Sequence, residues 1–352
     1  MLVVISGGGT GGHTSPGLAV AARLREASVD VHWIGSRAGI EARRVPEAGI
    51  TFHSIPVGKL RRYWDWQNVP DLAVRAPAGL AQAWRLLRRL RPALLLATGG
   101  FVALPPALAA RALRIPVVVH EQTSVPGLAN RVAGRFARRI ALTFPLTGNE
   151  LPQERTVLTG NPLRPELRGG SRAAACRRFG LEDAGPIVYV TGGALGSHRL
   201  NRDVGEALPR LLERCQVIHQ CGENKATGDL AWLGERARTL PEGLRRRYAL
   251  QAYVGAELRD VYAATALVIG RSGAGTVNEC CQLGLPALYV PLPGTSGDEQ
   301  TANARLVEAV ERLLGDPAAL AAMGERARSL AVPDAADRIV RLLFEVVGAN
   351  PR

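Results

Sequence analysis

The sequence lacks several features that would place it in other classes of protein. Among its 352 residues no apolar run approaches the roughly 18 residues that a membrane-spanning helix needs, so we expect no such helix. The opening run Met1–Ile5 is too short for the apolar region of a secretory signal. The five cysteines show no C-x-x-C spacing, which is typical of a protein from a reducing cytosol.

Patterns of metal ligands are missing as well. There is no D-x-D triplet, and no histidine or cysteine cluster has the spacing of a metal site, so we expect neither a metal nor another cofactor. Acidic residues are few, 31 against 44 basic ones. The net charge of +13 predicts an acidic partner, which could be nucleic acid, an anionic membrane surface or a phosphorylated substrate. Because the arginines are scattered over predicted helices, nucleic acid is disfavoured.

What is present is a repeated pattern of strands and glycine turns. The apolar run Leu2–Ser6 predicts a buried parallel strand, and it leads into Gly7-Gly8-Gly9-Thr10-Gly11-Gly12-His13 and a helix from about Pro16. The glycines satisfy G-x-G-x-x-G, but Ser36 and Arg37 stand where a dinucleotide fold has an acidic residue. NAD binding is therefore disfavoured.

Apolar runs alternate with helical stretches along the whole chain, which predicts an α/β fold with right-handed crossovers. A break near residue 163 indicates two domains, 1–163 and 164–352. We expect two Rossmann-like, doubly wound parallel-sheet domains that face each other across a cleft. The last helix, Ala335–Val347, could pack on either domain. The predicted strands are Leu2–Ser6, Val31–Gly35, Thr51–Ile55, Ala93–Ala97, Val117–His120, Ile187–Thr191, Gln216–Gln220, Ala249–Val254, Leu267–Gly270 and Ala287–Val290.

The stretch after the strand Leu267–Gly270 has the properties of a nucleotide-sugar site. A glycine-rich turn opens a helix that runs to Gln282, and the free N–H groups at its start form an anion site. Glu279 lies one helical turn beyond Thr276, so its carboxylate could accept hydrogen bonds from two vicinal sugar hydroxyls. Ligands bind at such sheet edges in open α/β folds, and the next loop adds Asp298, Glu299, Gln300 and Asn303.

The first half offers two candidate bases. His13 follows the first glycine turn and carries a side chain that titrates near neutrality, although it could equally be a hydrogen-bonded loop residue. Glu121, after the strand Val117–His120, is the alternative base. The polar residues that follow it at the same sheet edge are Gln122, Thr123 and Asn130.

Aromatic side chains are interleaved with arginines between residues 60 and 72 and in the helix predicted over Ala78–Leu90. This pattern suits a membrane interface, where indole rings lie at headgroup depth and guanidinium groups meet anionic lipid. The alternative is a loop that buttresses a core helix. The residues concerned are Arg61, Arg62, Tyr63, Trp64, Trp66 and Trp84.

Taken in order, the motifs resemble those of the MurG family of glycosyltransferases over nearly the whole chain. They are the glycine turn Gly7–Gly12, His120-Glu121-Gln122, Gly160-Asn161-Pro162-Leu163-Arg164, a second glycine turn Gly192–Gly196 after the strand Ile187–Thr191, Arg271–Glu279 and Asp298–Ala304. The resemblance implies a GT-B fold and an inverting transfer of N-acetylglucosamine from UDP-N-acetylglucosamine to a lipid-linked muramoyl-pentapeptide of peptidoglycan synthesis. It also implies a donor site mainly in the second domain, an acceptor and membrane face in the first, and a peripheral location at the cytoplasmic face of the membrane, with other cell-wall enzymes as candidate partners.

The resemblance assigns roles to particular residues. Arg164 would neutralise phosphate, unless it is one more surface arginine, and Glu279 would hold the ribose, unless it belongs to a solvated helix face. Val254 would face the uracil, and Gln300 would contact the hydroxyls of N-acetylglucosamine. Thr10, Gly11 and Gly12 would border the sugar and diphosphate. The nucleotide would lie on Ala274, Gly275, Thr276, Val277, Asn278 and Glu279.

Thr123, Asn130 and Ala194 complete the expected substrate site, with departures from the family at two of them. The family often has Asn at Thr123 and commonly has Ser at Ala194. The chain also lacks a strand segment that the family carries after Ala304, so the strand Ala287–Val290 would form a bare sheet edge. Two other functions stay open. One is a GT-B enzyme with a different lipid or aglycone acceptor, and the other is a weakened homologue that acts as a scaffold for cell-wall enzymes.

Overall fold

The computed structural model describes residues 1–57, 75–146, 148, 150–290 and 299–348, with the side chains of residues 299–305 outside this description. The predicted aromatic segment between residues 60 and 72 and the residue Asp298 also lie outside it. Every helix of the described part is too short or too polar to cross a lipid bilayer. The chain divides into two compact units, Met1–Arg164 joined by the chain from Val332 onward, and Pro165–Ala331.

A sheet of seven parallel strands forms the centre of the first unit. The strands are β1 (Leu2–Gly7), β2 (Asp30–Ser36), β3 (Thr51–Ile55), β4 (Leu94–Gly99), β5 (Val117–Glu121), β6 (Arg139–Leu142) and β7 (Thr156–Leu158). They pair in the order β3-β2-β1-β4-β5-β6-β7. Valine, leucine and isoleucine fill β1, β4 and β5, and almost all of these side chains are inaccessible to solvent, as expected for a sheet covered on both faces.

The helices of the first unit cover this sheet and are joined by the last helix of the chain. They are α1 (Gly11–Glu26), α2 (Glu41–Glu47), α3 (Ala76–Leu90), α4 (Leu104–Ala112), α5 (Leu128–Gly134) and α14 (Ala335–Val347). Helix α14 packs on α1, where its Ile339 and Leu343 share one apolar cluster with Val20 and Leu24. The C-terminal helix therefore contributes to the core of the first unit.

The second unit repeats the scheme with five parallel strands. They are β8 (Ile187–Thr191), β9 (Gln216–Gln220), β10 (Tyr248–Gln251), β11 (Thr265–Gly270) and β12 (Ala287–Tyr289), in the order β10-β9-β8-β11-β12. Strand β12 ends the sheet in the described part of the chain. The helices are α6 (Arg172–Phe179), α7 (His198–Arg214), α8 (Asp229–Arg238), α9 (Glu242–Arg245), α10 (Leu258–Ala264), α11 (Ala274–Leu283), α12 (Glu299–Leu314) and α13 (Pro317–Ser329).

Two parallel-sheet α/β domains confirm the predicted fold class, with local differences. Helix α1 begins at Gly11 rather than near Pro16, because both the N–H and the hydroxyl of Thr14 donate to the carbonyl of Thr10 and close the first turn. Strands β6 and β7 were not predicted. Strand β10 ends at Gln251, so Val254 lies in the loop that follows it.

Each sheet reverses its strand order at one point, and a glycine turn lies at each of these points. In the first sheet β1 lies between β2 and β4, and in the second β8 lies between β9 and β11. Ligands of open α/β sheets bind outside the carboxyl ends of the strands at such a switch point. The first glycine turn follows β1 and the turn Gly192–Gly196 follows β8, so both turns lie where a ligand is expected.

Candidate active site

Two glycine turns, Gly7–Gly12 after β1 and Thr98–Gly100 at the end of β4, meet at the carboxyl edge of the first sheet. They approach so closely that a side chain would not fit, since a Cβ on Gly7 would lie 1.9 Å from Oγ1 of Thr98 and a Cβ on Gly100 would lie 2.3 Å from the carbonyl oxygen of Gly8. The Thr98 hydroxyl donates to the carbonyl of His13 over 2.8 Å. This packing fixes the start of α1, and His13 with it.

The imidazole of His13 is half-buried against two polar neighbours. Its Nδ1 lies 3.3 Å from the carbonyl oxygen of Thr98 and 3.3 Å from Nε2 of Gln122, which itself donates to that carbonyl over 3.0 Å. When Nδ1 carries the ring proton it donates to Thr98, and Nε2 keeps a lone pair that can accept a proton. This is the form that a general base requires.

Two opposing effects act on the pKa of His13. Burial removes hydration from the imidazolium and lowers the pKa below its ordinary value, and this effect prevails. The carboxylates of Glu121 and Glu41 and the Thr98 carbonyl act in the opposite direction. The neighbouring His120 in β5 is fully buried, and burial lowers its pKa to about 4. Both histidines are therefore neutral at neutral pH.

Glu121, the alternative base, is surrounded by donors. The residue is 3% exposed, and its carboxylate accepts hydrogen bonds of 2.8 to 3.2 Å from four groups of the loop between β5 and α5 and from one side chain of α5. The donors are the N–H groups of Gln122, Thr123 and Gly127, the hydroxyl of Thr123 and the side-chain amide of Asn130. This arrangement favours a positioning role for Glu121, because its lone pairs are engaged with the loop.

The other predicted residues of this edge lie in the same network. The hydroxyl of Thr123 contacts Glu121 and the carbonyl of Val125, both at 2.8 Å. Asn130 donates its Nδ2 to Glu121 and to the His120 carbonyl. Its buried Oδ1 has no hydrogen-bond partner among the residues that the structure describes. An unpaired buried acceptor is unfavourable, and a donor on a ligand would satisfy it.

The residues expected at the diphosphate stand at a helix start. Thr10 is exposed and precedes α1, and the N–H groups of Gly11, Gly12 and His13 open the helix without an acceptor in the described part. Free N–H groups of this kind favour anions. Arg164 is partly buried at the end of the segment Met1–Arg164.

Glu41 was not identified from the sequence. It is fully buried at the start of α2, and its carboxylate accepts the N–H of Gly9 and the N–H of Ser36, each over 3.0 Å. A Cβ on Gly8 would lie 2.2 Å from the carboxyl carbon of Glu41. The carboxylate therefore joins the first glycine turn to the end of β2. An acidic residue shortly after the second strand was the only signal that the sequence offered.

In the second unit the predicted nucleotide residues form the first turns of α11. The N–H groups of Ala274, Gly275 and Thr276 have no acceptor in the described part, whereas Val277 donates its N–H to Gly273 over 3.0 Å. A Cβ on Gly273 or Gly275 would meet nothing within 4 Å, so this helix start is open. Three free donors at the carboxyl end of β11 provide an anion site next to the switch point. Asn278, further along the same helix, is buried.

Glu279 is oriented by a tyrosine that sequence reasoning missed. The hydroxyl of Tyr262 in α10 donates to Oε2 of Glu279 over 2.6 Å. Burial, together with this carboxylate, raises the pKa of Tyr262 well above its usual range, so the phenol stays protonated and acts as a donor. The Tyr262 ring packs edge-on against Tyr189 of β8, with the ring centroids 5.7 Å apart.

Ala194 and Val254 are linked through a third residue, Gln220, which was also missed. Val254 is buried and donates its N–H to Oε1 of Gln220 over 2.9 Å. Nε2 of Gln220 donates over 3.0 Å to the carbonyl of Gly193, which precedes Ala194 in the glycine turn. The side chain of Gln300, in the first turn of α12, lies outside the described residues. No group of three or more His, Cys, Asp or Glu side chains in the described part could hold a metal ion.

Family models match both halves of the chain. Residues 3–142 match the glycosyltransferase family 28 N-terminal domain, and residues 187–315 match the glycosyltransferase family 28 C-terminal domain. Two curated relatives, from Lachnoclostridium phytofermentans and Lachnospira eligens, are each 38% identical to the chain. The matches cover 87% and 86% of this chain and 83% and 82% of the relatives. Both relatives are named UDP-N-acetylglucosamine--N-acetylmuramyl-(pentapeptide) pyrophosphoryl-undecaprenol N-acetylglucosamine transferase.

A solved structure agrees with these matches. The crystal structure of MurG from Acinetobacter baumannii is 27% identical, has a TM-score of 0.69, and the match covers 98% of this chain and 99% of that one. The two matched domains and the identity to the relatives confirm the resemblance. The chain therefore belongs to the MurG family, within glycosyltransferase family 28.

Proposed function

We propose that the protein transfers N-acetylglucosamine from UDP-N-acetylglucosamine to the C4 hydroxyl of the muramoyl sugar in a lipid-linked muramoyl-pentapeptide. The observation that carries this proposal is the 38% identity, over most of both chains, to relatives named for that transfer. The second unit binds the donor, and the first unit binds the acceptor and supplies the base.

The start of α11 is the proposed site of the diphosphate, because its free N–H groups suit an anion. Arg164 supplies a counter-charge, and Glu279, held by Tyr262, accepts hydrogen bonds from the ribose hydroxyls. Since the N–H of Val254 is engaged with Gln220, the uracil is recognised by neighbouring backbone groups of that loop. Ala194 lines the donor site, and Gln300 contacts the transferred sugar.

His13 is the proposed base. Its Nε2 takes the proton of the acceptor hydroxyl while the hydroxyl oxygen bonds to the anomeric carbon from the face opposite UDP. The bond between the anomeric carbon and the phosphate oxygen breaks, and its electron pair leaves with UDP, so the configuration inverts. The carboxylates of Glu41 and Glu121, which act to raise the pKa of His13, stabilise the imidazolium that forms.

We place the protein at the cytoplasmic face of the membrane, bound peripherally through α3 and α4. These helices pack on each other and expose Leu80, Trp84 and Leu108. The guanidinium of Arg88 lies 5.1 Å from the centre of the Trp84 ring. Exposed apolar side chains beside arginines suit an anionic lipid surface.

An arginine-rich cavity supports the same placement. It has a volume of about 570 Å³ and lies at the amino ends of β5 and β6, beginning at the last turn of α4. Guanidinium groups bind phosphate oxygens through paired hydrogen bonds, so the cavity suits lipid headgroups. The arginines that line it are Arg111, Arg114, Arg138, Arg139 and Arg155.

Transfer of radiolabel from UDP-N-acetylglucosamine to lipid-linked muramoyl-pentapeptide tests the proposal. We expect a labelled lipid product whose sugar carries the inverted configuration. Label transferred only to diacylglycerol or to an aglycone would overturn the acceptor assignment. UDP binding without transfer to any of these acceptors would instead indicate the scaffold function.

A further inference from the structure

The side chain of Gln220 is fully engaged in hydrogen bonds at the end of β9. Its Oε1 accepts the N–H of Val254 over 2.9 Å and the hydroxyl of Tyr189 over 3.2 Å. Its Nε2 donates to the carbonyl of Gly193 over 3.0 Å and to the hydroxyl oxygen of Thr191 over 3.2 Å. A carboxamide has two acceptor lone pairs and two N–H donors, so its whole capacity is used.

These partners belong to separate segments of the second unit. Thr191 ends β8, Gly193 lies in the glycine turn, and Val254 lies in the loop after β10. The turn is held twice, because the N–H of Gly193 also donates to Oγ1 of Thr191 over 3.1 Å. Gly193 has a φ of +85°, which glycine adopts readily, so the hydrogen bonds select one conformation of a turn that could adopt several. One buried amide therefore sets the position of the glycine turn relative to the Val254 loop.

The network continues to α11 through two aromatic rings. Tyr189, which donates to Gln220, packs edge-on against Tyr262, and the hydroxyl of Tyr262 donates to Glu279. The glycine turn holds Ala194, which lines the proposed donor site, and the Val254 loop and Glu279 are where the proposed function puts uracil and ribose. They are joined beneath the site by Gln220, Tyr189 and Tyr262.

We propose that Gln220 is a positioning residue for the nucleotide donor, which fixes the spacing between the glycine turn and the Val254 loop so that one uridine diphosphate can contact both. This inference rests on the proposed function, because it takes UDP as the ligand. A buried donor or acceptor that loses its partner must move or remain unsatisfied, and either result disturbs the spacing. Gln220 acts through these segments rather than by contact with the reacting atoms.

The chain contains a matched control on the same strand. Gln216 opens β9 as Gln220 ends it, and both amides are buried. Gln216 accepts the N–H of Glu182 over 2.8 Å and donates to the carbonyls of Glu182 and Ala184, each over 2.9 Å. Its partners lie at the amino edge of the sheet, away from the switch point. Gln216→Leu therefore removes a comparable set of hydrogen bonds without touching the proposed donor site.

The experiment measures the Kd of UDP by calorimetry, together with Tm, for the full chain and its variants. We expect Gln220→Leu to weaken UDP binding by about tenfold or more. We expect Gln216→Leu to lower Tm by about as much as Gln220→Leu does, while its Kd for UDP changes by less than about twofold. We expect the KM for the lipid acceptor to stay unchanged in Gln220→Leu, because the network lies in the second unit.

A milder pair keeps the test decisive if Gln220→Leu does not fold. Thr191→Val has nearly the same shape but loses the hydroxyl that Gln220 and Gly193 contact, and Thr191→Ser keeps the hydroxyl. We expect weaker UDP binding in Thr191→Val and recovery in Thr191→Ser. If the parent binds UDP and Gln220→Leu or Thr191→Val binds it equally well, the positioning role is wrong. If the parent itself does not bind UDP, the proposed function fails and the inference fails with it.

Discussion

The turns at the two switch points are supported by side chains of different charge. In the first unit, the buried carboxylates of Glu41 and Glu121 hold the turn after β1 and the loop after β5. In the second unit, the neutral amide of Gln220 holds the turn after β8. The buried carboxylate of Asp229, after β9, is paired with His198 over 2.6 Å. Negative charge thus supports the turn after β1, and a neutral amide supports the turn after β8.

This difference fits the charge that each edge meets in the proposed reaction. His13 becomes a cation when it takes the proton, and nearby carboxylates favour the cation. The diphosphate is an anion. A buried carboxylate 5 Å from one of its charges would repel it by about 3 kcal/mol at an effective dielectric constant of about 20. A neutral amide supports the glycine turn without this repulsion.

The largest effect is expected from removing the imidazole of His13, the proposed base at the carboxyl edge of the first sheet. His13→Ala should lower kcat by about a hundredfold or more, because positioned proton transfer contributes roughly that factor. The Kd of UDP should not change, since the donor is assigned to the second unit. Steady-state transfer assays and calorimetry measure the two quantities. The control is His53→Ala, which removes a half-buried histidine of β3 from the same unit. If His13→Ala keeps a kcat close to that of the parent, the base must be Glu121 or another group.

A smaller effect is expected when the buried carboxylate of Glu41, which supports the turn after β1, is neutralised. Glu41→Gln retains only one acceptor oxygen, so its NH₂ group must face the N–H of Gly9 or of Ser36. One buried N–H then loses its acceptor, which costs about 2 kcal/mol, and kcat/KM should fall by about thirtyfold. Glu47→Gln, an exposed change on the same helix, should leave kcat/KM unchanged.

The pH profile of Glu41→Gln separates charge from shape. Glu41 acts to raise the pKa of His13, so its neutralisation lowers that pKa further. The base then stays unprotonated to lower pH, and the acid limb of the profile of kcat/KM against pH should move to lower pH. A loss of activity with an unmoved acid limb would mean that Glu41 supports only the shape of the turn.

Much of the fold could be predicted because its strands are uninterrupted apolar runs. Ile187–Thr191 and Gln216–Gln220 have the predicted bounds, and so has the helix Ala335–Val347 with its apolar spacing. Strand β7 could not be predicted in this way, because it is three residues long and its last two side chains are exposed. A hydrophobic pattern in the sequence arises from the buried side chains of a regular helix or strand. A short strand at the edge of a sheet buries few side chains, so it leaves little pattern to detect.

Motifs in the sequence point to the residues proposed to face the ligands, but not to the groups beneath them. Gln220 lies 34 residues from Val254 and 27 from Gly193 along the chain, and only the order β10-β9-β8-β11 brings them together. Glu41 likewise reaches Gly9 across 32 residues. The available signal for Gln220 was a glutamine within the apolar strand sequence 216–220. Its role depends on which strands are neighbours, and local sequence does not specify that.

The smallest of these effects concerns Glu279, the carboxylate that the second unit presents to the ribose in the proposed function. Glu279→Gln keeps an acceptor for Tyr262 but loses the charge, and hydrogen bonds to a charged acceptor are roughly twice as strong as neutral ones. We expect UDP to bind about tenfold more weakly, a difference of ~1.4 kcal/mol.

The ribose contact is isolated by a second ligand, 2′,3′-dideoxy-UDP, which lacks both hydroxyls. The parent should prefer UDP to this analogue, and Glu279→Gln should lose most of the preference, because the charged acceptor distinguishes the two ligands. Glu235→Gln, an exposed change on α8, controls for net charge. Equal preference in parent and variant would mean that Glu279 does not contact the ribose.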